Sequence, residues 1–244
     1  MSTTDNHRSW AQHYDEVNQR CFGAYYDQLT RQTLQEINTL GSPLKIADFG
    51  AGTGRLALPL SEHGHDVTAI EPSKAMLEQL QAKERSGRIR TFHAALSTYD
   101  GPGEHDLALA VFTVIAYILN PQELAASFAN AGKALTPAGR LLIDVPRRVL
   151  FNSNKVQNPG LTRDITFTPL GGTLFTYAEK TTLETTNGTF SYQDQFTLRH
   201  WSQAEVRGAL QQAGLEIDQD WTARFTATGA EYWLCRKAPQ PTGR

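Results

Sequence analysis

The chain has 244 residues, with 23 Lys and Arg against 25 Asp and Glu for a formal net charge of −2: enough length for one large domain, or a domain with an insertion, and a balance that leaves no electrostatic footprint for nucleic acid. No apolar run is long enough to span a bilayer, and Met1 to Asn6 is polar and acidic where a secretory leader is basic and then apolar, so a cytoplasmic protein that touches no membrane is expected. Cys21 and Cys235 stand far apart with no CxxC, and the seven histidines show no HxxxH spacing, which argues for free thiols and no metal.

Trp10 to Leu40 carries apolar and aromatic residues at helical spacing (Trp10, Tyr14, Val17, Phe22, Tyr26, Leu29, Leu34, Ile37), and Gly23 divides it into two expected helices. Gly41-Ser42-Pro43 closes that segment. Leu44 to Phe49 then reads as a buried strand, ending at Gly50-Ala51-Gly52-Thr53-Gly54-Arg55, where a helical pattern resumes. Gly50, Ala51 and Gly52 let a ligand approach the backbone, and free N–H groups at the helix start are expected to favour polar or anionic ligand atoms. The glycines follow GxGxG, which is neither the GxGxxG of dinucleotide-binding turns nor a phosphate loop with its lysine.

A second strand, Gly64 to Glu71, ends in an acid followed by Pro72 and Ser73. At that place in a nucleotide-handling fold a carboxylate accepts from both ribose hydroxyls; a glutamate capping the next helix is the plainer alternative. Ser73 is the expected N-cap of a helix with Met76, Leu77 and Leu80 inward. Ile89 to His93 is a short third strand, leading to Ala94-Ala95-Leu96. Asp106 to Phe112 is a near-continuous apolar run, the mark of a buried parallel strand. After the loop Thr113 to Ile118, Asn120-Pro121-Gln122-Glu123 supplies an N-cap, a first-turn Pro and an acid for a helix through Leu135. Leu141 to Val145 is the fifth strand.

From Arg147 to Arg199 the period changes to alternation. Ile165 to Phe167, Thr173 to Thr182 and Phe190 to Leu198 read as antiparallel strands, with Asn187-Gly188 a hairpin signal. Ser202 and Glu205 form an expected capping box for a helix that Gly214 ends. Leu215 to Trp221 and Glu231 to Arg236 complete the strands, and the residues from Pro239 onward read as a tail. His93 is expected in the core; His63, His65 and His105, at element ends, are expected in solvent.

The glycine turn behind Asp48, together with Glu71 ending the second strand, resembles the class I S-adenosylmethionine-dependent methyltransferases of small-molecule type, and the resemblance runs from about Trp10 to Lys237. It implies a Rossmann-like α/β fold: a doubly wound, seven-stranded, mostly parallel sheet whose last strand is reversed. Residues 41–146 and 200–238 would be the cofactor-binding core, 1–40 an N-terminal helical lid, and 147–199 an antiparallel cap on the substrate side or, alternatively, a dimerisation sheet. It implies S-adenosylmethionine as cofactor, held by Asp48, Gly50, Ala51, Gly52, Gly54, Arg55, Glu71, Pro72, Met76, Ala95, Leu96 and Phe112, although packing alone explains Met76 equally well. The family's usual acid for the adenine amino group is replaced by Ala95, leaving adenine to backbone groups or to Ser97 or Thr98.

Methyl transfer from a sulfonium is an in-line displacement with an already activated donor, so alignment and water exclusion carry most of the catalysis. A base helps a hydroxyl or ammonium acceptor, and Tyr14, Tyr117 and Asp144 are the candidates, with His13 nearby. Tyr26, Tyr117, Arg147 and Trp201 are the candidate acceptor-binding residues, Arg147 as an anion anchor. The implied activity is methyl transfer to N or O of a small molecule. The alternatives are a carboxylated cofactor, which extra arginines in the pocket would favour, or a non-catalytic module that binds S-adenosylmethionine.

Overall fold

The computed structural model describes residues 6–239; residues 1–5 of the expected lid and 240–244 of the expected tail lie outside the described residues. A 3-10 turn over Arg8–His13 leads into α1 (Tyr14–Phe22) and, across Gly23, α2 (Ala24–Asn38). The core then alternates: β1 (Lys45–Phe49), α3 (Ala57–Glu62), β2 (Asp66–Glu71), α4 (Lys74–Lys83), β3 (Arg90–His93), β4 (His105–Ala110), a 3-10 turn at Val114–Tyr117, α5 (Pro121–Ala134) and β5 (Leu135–Pro146). After β5 come four strands of a second sheet, β6 (Asn154–Asn158), β7 (Leu161–Gly171), β8 (Leu174–Thr185) and β9 (Gly188–Arg199). The core resumes with α6 (Gln203–Gln212), β10 (Leu215–Asp220) and β11 (Ala230–Lys237).

The main sheet has the order β10-β11-β5-β4-β1-β2-β3. Strands β1 to β5 pair in parallel, while β11 runs antiparallel to both β5 and β10, the reversed strand that the resemblance implied. Helices cover both faces. Phe49, Phe128, Trp201 and Trp233 pack on the side of α5 and α6; Ile37, Ile46, Leu60 and Leu80 pack on the side of α2, α3 and α4. Burying each such side chain contributes about 1.5–3 kcal/mol, so the two layers fix the sheet and, with it, the turns at its carboxyl edge.

Local chemistry explains most boundaries. Asn120 accepts the Glu123 N–H with Pro121 in the first turn, and Ser202 and Glu205 form the reciprocal capping box. Ser73 departs from its expected role: it occupies the N-cap position of α4, but its hydroxyl makes no capping bond. Helix α3 starts two residues after the expected Arg55, because the third glycine is still in the turn, at φ 93°. Strand β5 starts early, since Leu135 pairs with His105 before the register jumps to Leu107 and Arg140 and the residues between bulge out.

Three histidines also depart from expectation. His105 is wholly buried, bonded to Ala134 O and Thr68 Oγ1, and His65 is buried between the Leu44 N–H and Asn38 Oδ1. His93, expected in the core, is exposed beside Pro72 O. The polar partners come from other elements, so position at an element's end did not reveal burial.

The second sheet, β6-β7-β8-β9, is antiparallel throughout, and Thr186-Asn187 form the two-residue loop of its last hairpin, with Thr185 opposite Gly188. Its first strand, β6, was not expected, since Asn-Lys-Val-Gln-Asn carries no apolar alternation. One face is buried. Leu161, Leu183 and Tyr192 receive Trp10 and Val17 from the N-terminal segment, and Phe175, Tyr177 and Leu198 receive Ala116 and Phe151.

Candidate active site

A cavity of about 220 Å³ opens at the carboxyl ends of β1, β2, β3 and β4, where ligands bind in doubly wound sheets. The glycine turn is one wall. Gly50, Gly52 and Gly54 have φ of 71°, 56° and 93°, and a Cβ on Gly50 would stand 2.6 Å from Val114 Cγ2, so the close approach there is between the turn and the β4 loop. The N–H groups of Gly50 and Ala51 both point to Ile70 O, that of Gly52 to Glu71, and that of Gly54 to Ala51 O. Four of the turn's N–H groups are therefore spent on its own chain, which narrows the donors left for an anion.

Glu71 ties the end of β2 to the glycine turn after β1. Its Oε2 accepts from Gly52 N–H at 2.9 Å and its Oε1 from Ser73 N–H at 2.8 Å. Burial pushes its pKa up, opposed by these two bonds. Asp48, 4% exposed, receives the Ala57 N–H at the start of α3, yet its Oδ2 has no partner among the described residues. Burial pushes Asp48 up to about 7, with the Arg55 charge acting the other way. Ser73 Oγ is likewise buried without a partner among the described residues.

Opposite the glycine turn, Phe112 and Thr113 carry φ of 73° and 68°, a left-handed pair that bulky and β-branched residues rarely adopt. Asp144 holds them there, both its oxygens lying 3.0 Å from the Thr113 N–H. Arg55 lies with its guanidinium 4.0 Å from the Phe112 ring centre and donates to Thr30 Oγ1. Helix α1 is docked by Asp15, which accepts from Thr53 Oγ1 at 2.5 Å and from Lys83 Nζ at 2.6 Å. Tyr14, His7 and Tyr117 close the remaining side, all with raised or lowered pKa values through burial: His7 pushed down to about 4, the two phenols up.

Asp48, Gly50, Ala51, Gly52, Arg55, Glu71, Pro72, Met76, Ala95, Leu96 and Phe112 all line this cavity, as do Tyr14 and Tyr117. Five sequence-based assignments need correcting. Gly54 lies outside it; a Cβ there would press on Leu58 and Leu80 at 3.0 Å, so this glycine serves helix packing. Asp144 is spent on the Thr113 turn and does not line the cavity, which removes it as a base toward an acceptor. Tyr26 stands behind the wall, against Phe112 and under Arg55. Arg147 is exposed and faces Glu231 at 3.5 Å. Trp201 is buried in the core, where its Nε1–H is shared between Ile115 O at 3.0 Å and Ile118 O at 3.1 Å, bracing the turn that carries Tyr117.

Among the lining residues that the sequence did not single out are the titratable His7 and Glu123. His7 sits in a polar stretch with no periodicity, and no signal there could have found it. Glu123 was legible only as a helix-start acid; in the fold its Oε1 also meets Ser97 Oγ at 3.3 Å across the cavity edge. Ser97 lines the cavity and Thr98 does not, its hydroxyl turned to Ala95 O.

The cavity thus carries the acids Asp48, Glu71 and Glu123 against the stacked Arg55. Such a site suits a ligand with hydroxyls and positive charge better than a polyphosphate, which would face carboxylates and already occupied N–H groups. S-adenosylmethionine has that character, and the unpartnered Asp48 and Ser73 oxygens fit its polar groups.

Residues 46–139 match the family model described as a methyltransferase domain. A Geobacillus sp. (strain WCH70) protein named as a methyltransferase is 27% identical over 141 residues, which is 57% of this chain and 57% of that protein, so the chain spans under two thirds of that relative's length. The ubiquinone biosynthesis O-methyltransferase of Rickettsia akari is 28% identical over 109 residues, 44% of this chain and 42% of that one. Among solved structures, an S-adenosylmethionine-dependent methyltransferase from Clostridium acetobutylicum superposes with a TM-score of 0.79 at 16% identity, covering 94% of this chain and 98% of that one. An amino pentose methyltransferase from Micromonospora echinaspora, solved with S-adenosylmethionine bound, gives 0.74 at 19% identity over 92% and 97%. At these identities the structural likeness is one of fold.

Proposed function

We propose that this chain, which belongs by its fold and its residues 46–139 to the class I S-adenosylmethionine-dependent methyltransferase superfamily, transfers a methyl group to an N or O atom of a small-molecule acceptor. When bound, S-adenosylmethionine supplies a methyl already activated on a sulfonium. The chain's own contribution is to hold, orient and dry the site. Glu71 is placed to accept ribose hydroxyls, Gly50 to Gly52 to admit the ligand close to the backbone, and Met76, Ala95 and Leu96 to border the adenine, with Ser97 and Glu123 as polar neighbours. Asp144 fixes the Phe112–Thr113 turn, and Trp201 fixes the turn of Tyr117.

The observation that carries this reading is the convergence on one cavity of the Glu71 latch and the aromatic end formed by His7, Tyr14 and Tyr117. The acceptor side is the aromatic end, and residues 147–199 act as its cap. Their buried sheet face is occupied by Trp10 and Val17 of the same chain, which supports that role over dimerisation. The acceptor classes to try first are those in the names of similar proteins, quinol-type hydroxyls and amino sugars. Arg55 is bonded to Thr30 and stacked on Phe112, which weighs against a carboxylated cofactor needing a free arginine.

The test is a ligand panel read by melting temperature, followed by radiolabelled methyl transfer to hydroxyl and amine acceptors. S-adenosylmethionine and S-adenosylhomocysteine are expected to raise the melting temperature, and NAD and ATP to leave it unchanged. A preference for NAD or ATP would refute the cofactor. Tight binding with no turnover on either acceptor class would turn the reading toward a sensing module.

A further inference from the structure

At the aromatic end of the cavity three elements distant in sequence meet around one imidazole. His7, at φ 65° ahead of the 3-10 turn, has its ring Nε2 3.0 Å from Tyr117 Oη. Its backbone N–H donates to Asp194 Oδ2 of β9 at 3.0 Å, and the same carboxylate oxygen accepts the Trp10 Nε1–H at 3.1 Å. His7 Nδ1 lies 3.6 Å from Asp194 Oδ2 and is buried without a hydrogen-bond partner among the described residues. The rings of Trp10, Tyr14, Tyr117 and Phe196 enclose it edge-on, with centroids 5.1 to 5.9 Å away.

The tautomer follows from charge. A bare Nδ1 lone pair facing the Asp194 carboxylate would be repelled, whereas an Nδ1–H facing it is attracted. Nε2 is then the acceptor, so Tyr117 O–H donates to it, and the Tyr117 oxygen keeps lone pairs for another donor. His7 and Tyr117 both line the cavity, so such a donor can be the acceptor molecule itself. The charged and titratable groups facing His7 are Asp194 of β9, Tyr117 of the loop, Tyr14 of α1 and, behind Trp10, the Glu179 and Arg163 ion pair of β8 and β7.

We infer that Tyr117 and His7 form the proton-accepting pair of this site, with Asp194 as the positioning residue that fixes the imidazole. The inference rests on the methyltransferase reading and names the residues that take the acceptor's proton. The acceptor X–H bond breaks and an O–H bond forms at Tyr117; the original Tyr117 proton passes to His7 Nε2, and the imidazolium is held by Asp194. No electrons are exchanged. Burial keeps His7 neutral at rest, as a base must be. Because a sulfonium carries positive charge and a thioether does not, imidazolium is less costly after transfer than before it. The pair exists only while the N-terminal segment is seated on β9, so base and enclosure are assembled together.

The test uses the full chain with isotopically labelled histidine, followed by imidazole NMR, with His7→Gln used only to identify the resonance. His7 is expected as the neutral Nδ1–H tautomer at pH 7, and Tyr117→Phe is expected to move its Nε2 resonance to that of an unbonded ring nitrogen. The His7 midpoint is expected to lie higher with S-adenosylhomocysteine than with S-adenosylmethionine, since only the latter places a positive charge in the same cavity. An Nε2–H tautomer, a resonance indifferent to Tyr117→Phe, or equal midpoints with both ligands would overturn the pair. Should neither ligand raise the melting temperature, the cofactor reading itself fails, a result distinct from these three.

Discussion

Replacing Glu71 with Gln separates what this residue does for the fold from what it does for the ligand. The carboxylate offers one oxygen to Gly52 N–H at 2.9 Å and the other to Ser73 N–H at 2.8 Å. An amide of the same shape has one oxygen and one NH2, so one of those N–H groups must face a donor. Leaving a buried backbone donor unpaired costs about 1–3 kcal/mol. For a chain of this size each kcal/mol is worth about 2–4 °C, so the unliganded variant should melt roughly 2–12 °C lower. The ligand effect is additional. A hydroxyl bonded to a charged acceptor is worth about 1.5–3 kcal/mol, so S-adenosylmethionine should bind about 10- to 150-fold more weakly by calorimetry at a temperature where both proteins are folded. A lower melting temperature with unchanged affinity would mean that Glu71 only latches the turn and that the ribose lies elsewhere. Unchanged melting would refute the latch.

Three further expectations can be checked on the unliganded protein. Gly50→Ala places a Cβ at left-handed φ and 2.6 Å from Val114 Cγ2, and should cost about 2–5 kcal/mol in denaturant unfolding; adding Val114→Ala should restore the steric part but not the backbone part, and no recovery would refute the contact. Trp201→Phe strips the donor shared by Ile115 O and Ile118 O and removes one ring of a buried indole, and should cost about 1–3 kcal/mol for the donor plus the cavity left behind; a neutral result would reopen an acceptor-binding role. The pH dependence follows from Asp48 and Asp144, which burial pushes up to about 7. Raised folded-state values mean that the native protein binds more protons than the unfolded chain between about pH 4 and 7, so stability is greatest at the acid side of that window and is lost as pH rises through 7. Each carboxyl accounts for about 2–3 kcal/mol between pH 5 and 8. Asp144→Asn should flatten that slope in urea titrations, and an unchanged slope would place the titration elsewhere.

Much of the fold was legible because its signals are local. The glycines at 50, 52 and 54, the acid at 71, the Asn120-Pro121 start and the Ser202–Glu205 box each fix backbone conformation within a few residues. The residues that line the glycine-turn side of the cavity were legible for the same reason, since they sit at fixed offsets from strand ends. What escaped depends on partners far along the chain. Trp201 read as a candidate acceptor-binding residue, but its donor is claimed by carbonyls more than eighty residues upstream. Asp144 looked like a base because strand five ends near the site, yet the Thr113 turn consumes it. Phe112-Thr113 gives no hint of its left-handed geometry, since neither residue favours it. His7 becomes part of the site only because β9 brings Asp194 to it, across 187 residues.

The electrostatics of the cavity link these pieces. Burial pushes Asp48 up to about 7 and His7 down to about 4, so near neutral pH the protein alone holds Asp48 partly protonated and its imidazole neutral. Such a site is undercharged by design of its packing, and a ligand carrying fixed positive charge supplies what the acids lack. A carboxylate facing that charge ionises more readily, so binding and proton release are coupled on the cofactor side. On the acceptor side the sense is opposite: a positive ligand holds His7 neutral and able to accept. One distribution of buried charge therefore does two things, drawing in a cationic donor through Asp48 and Glu71 while keeping the base at the far end unprotonated until the positive charge has moved.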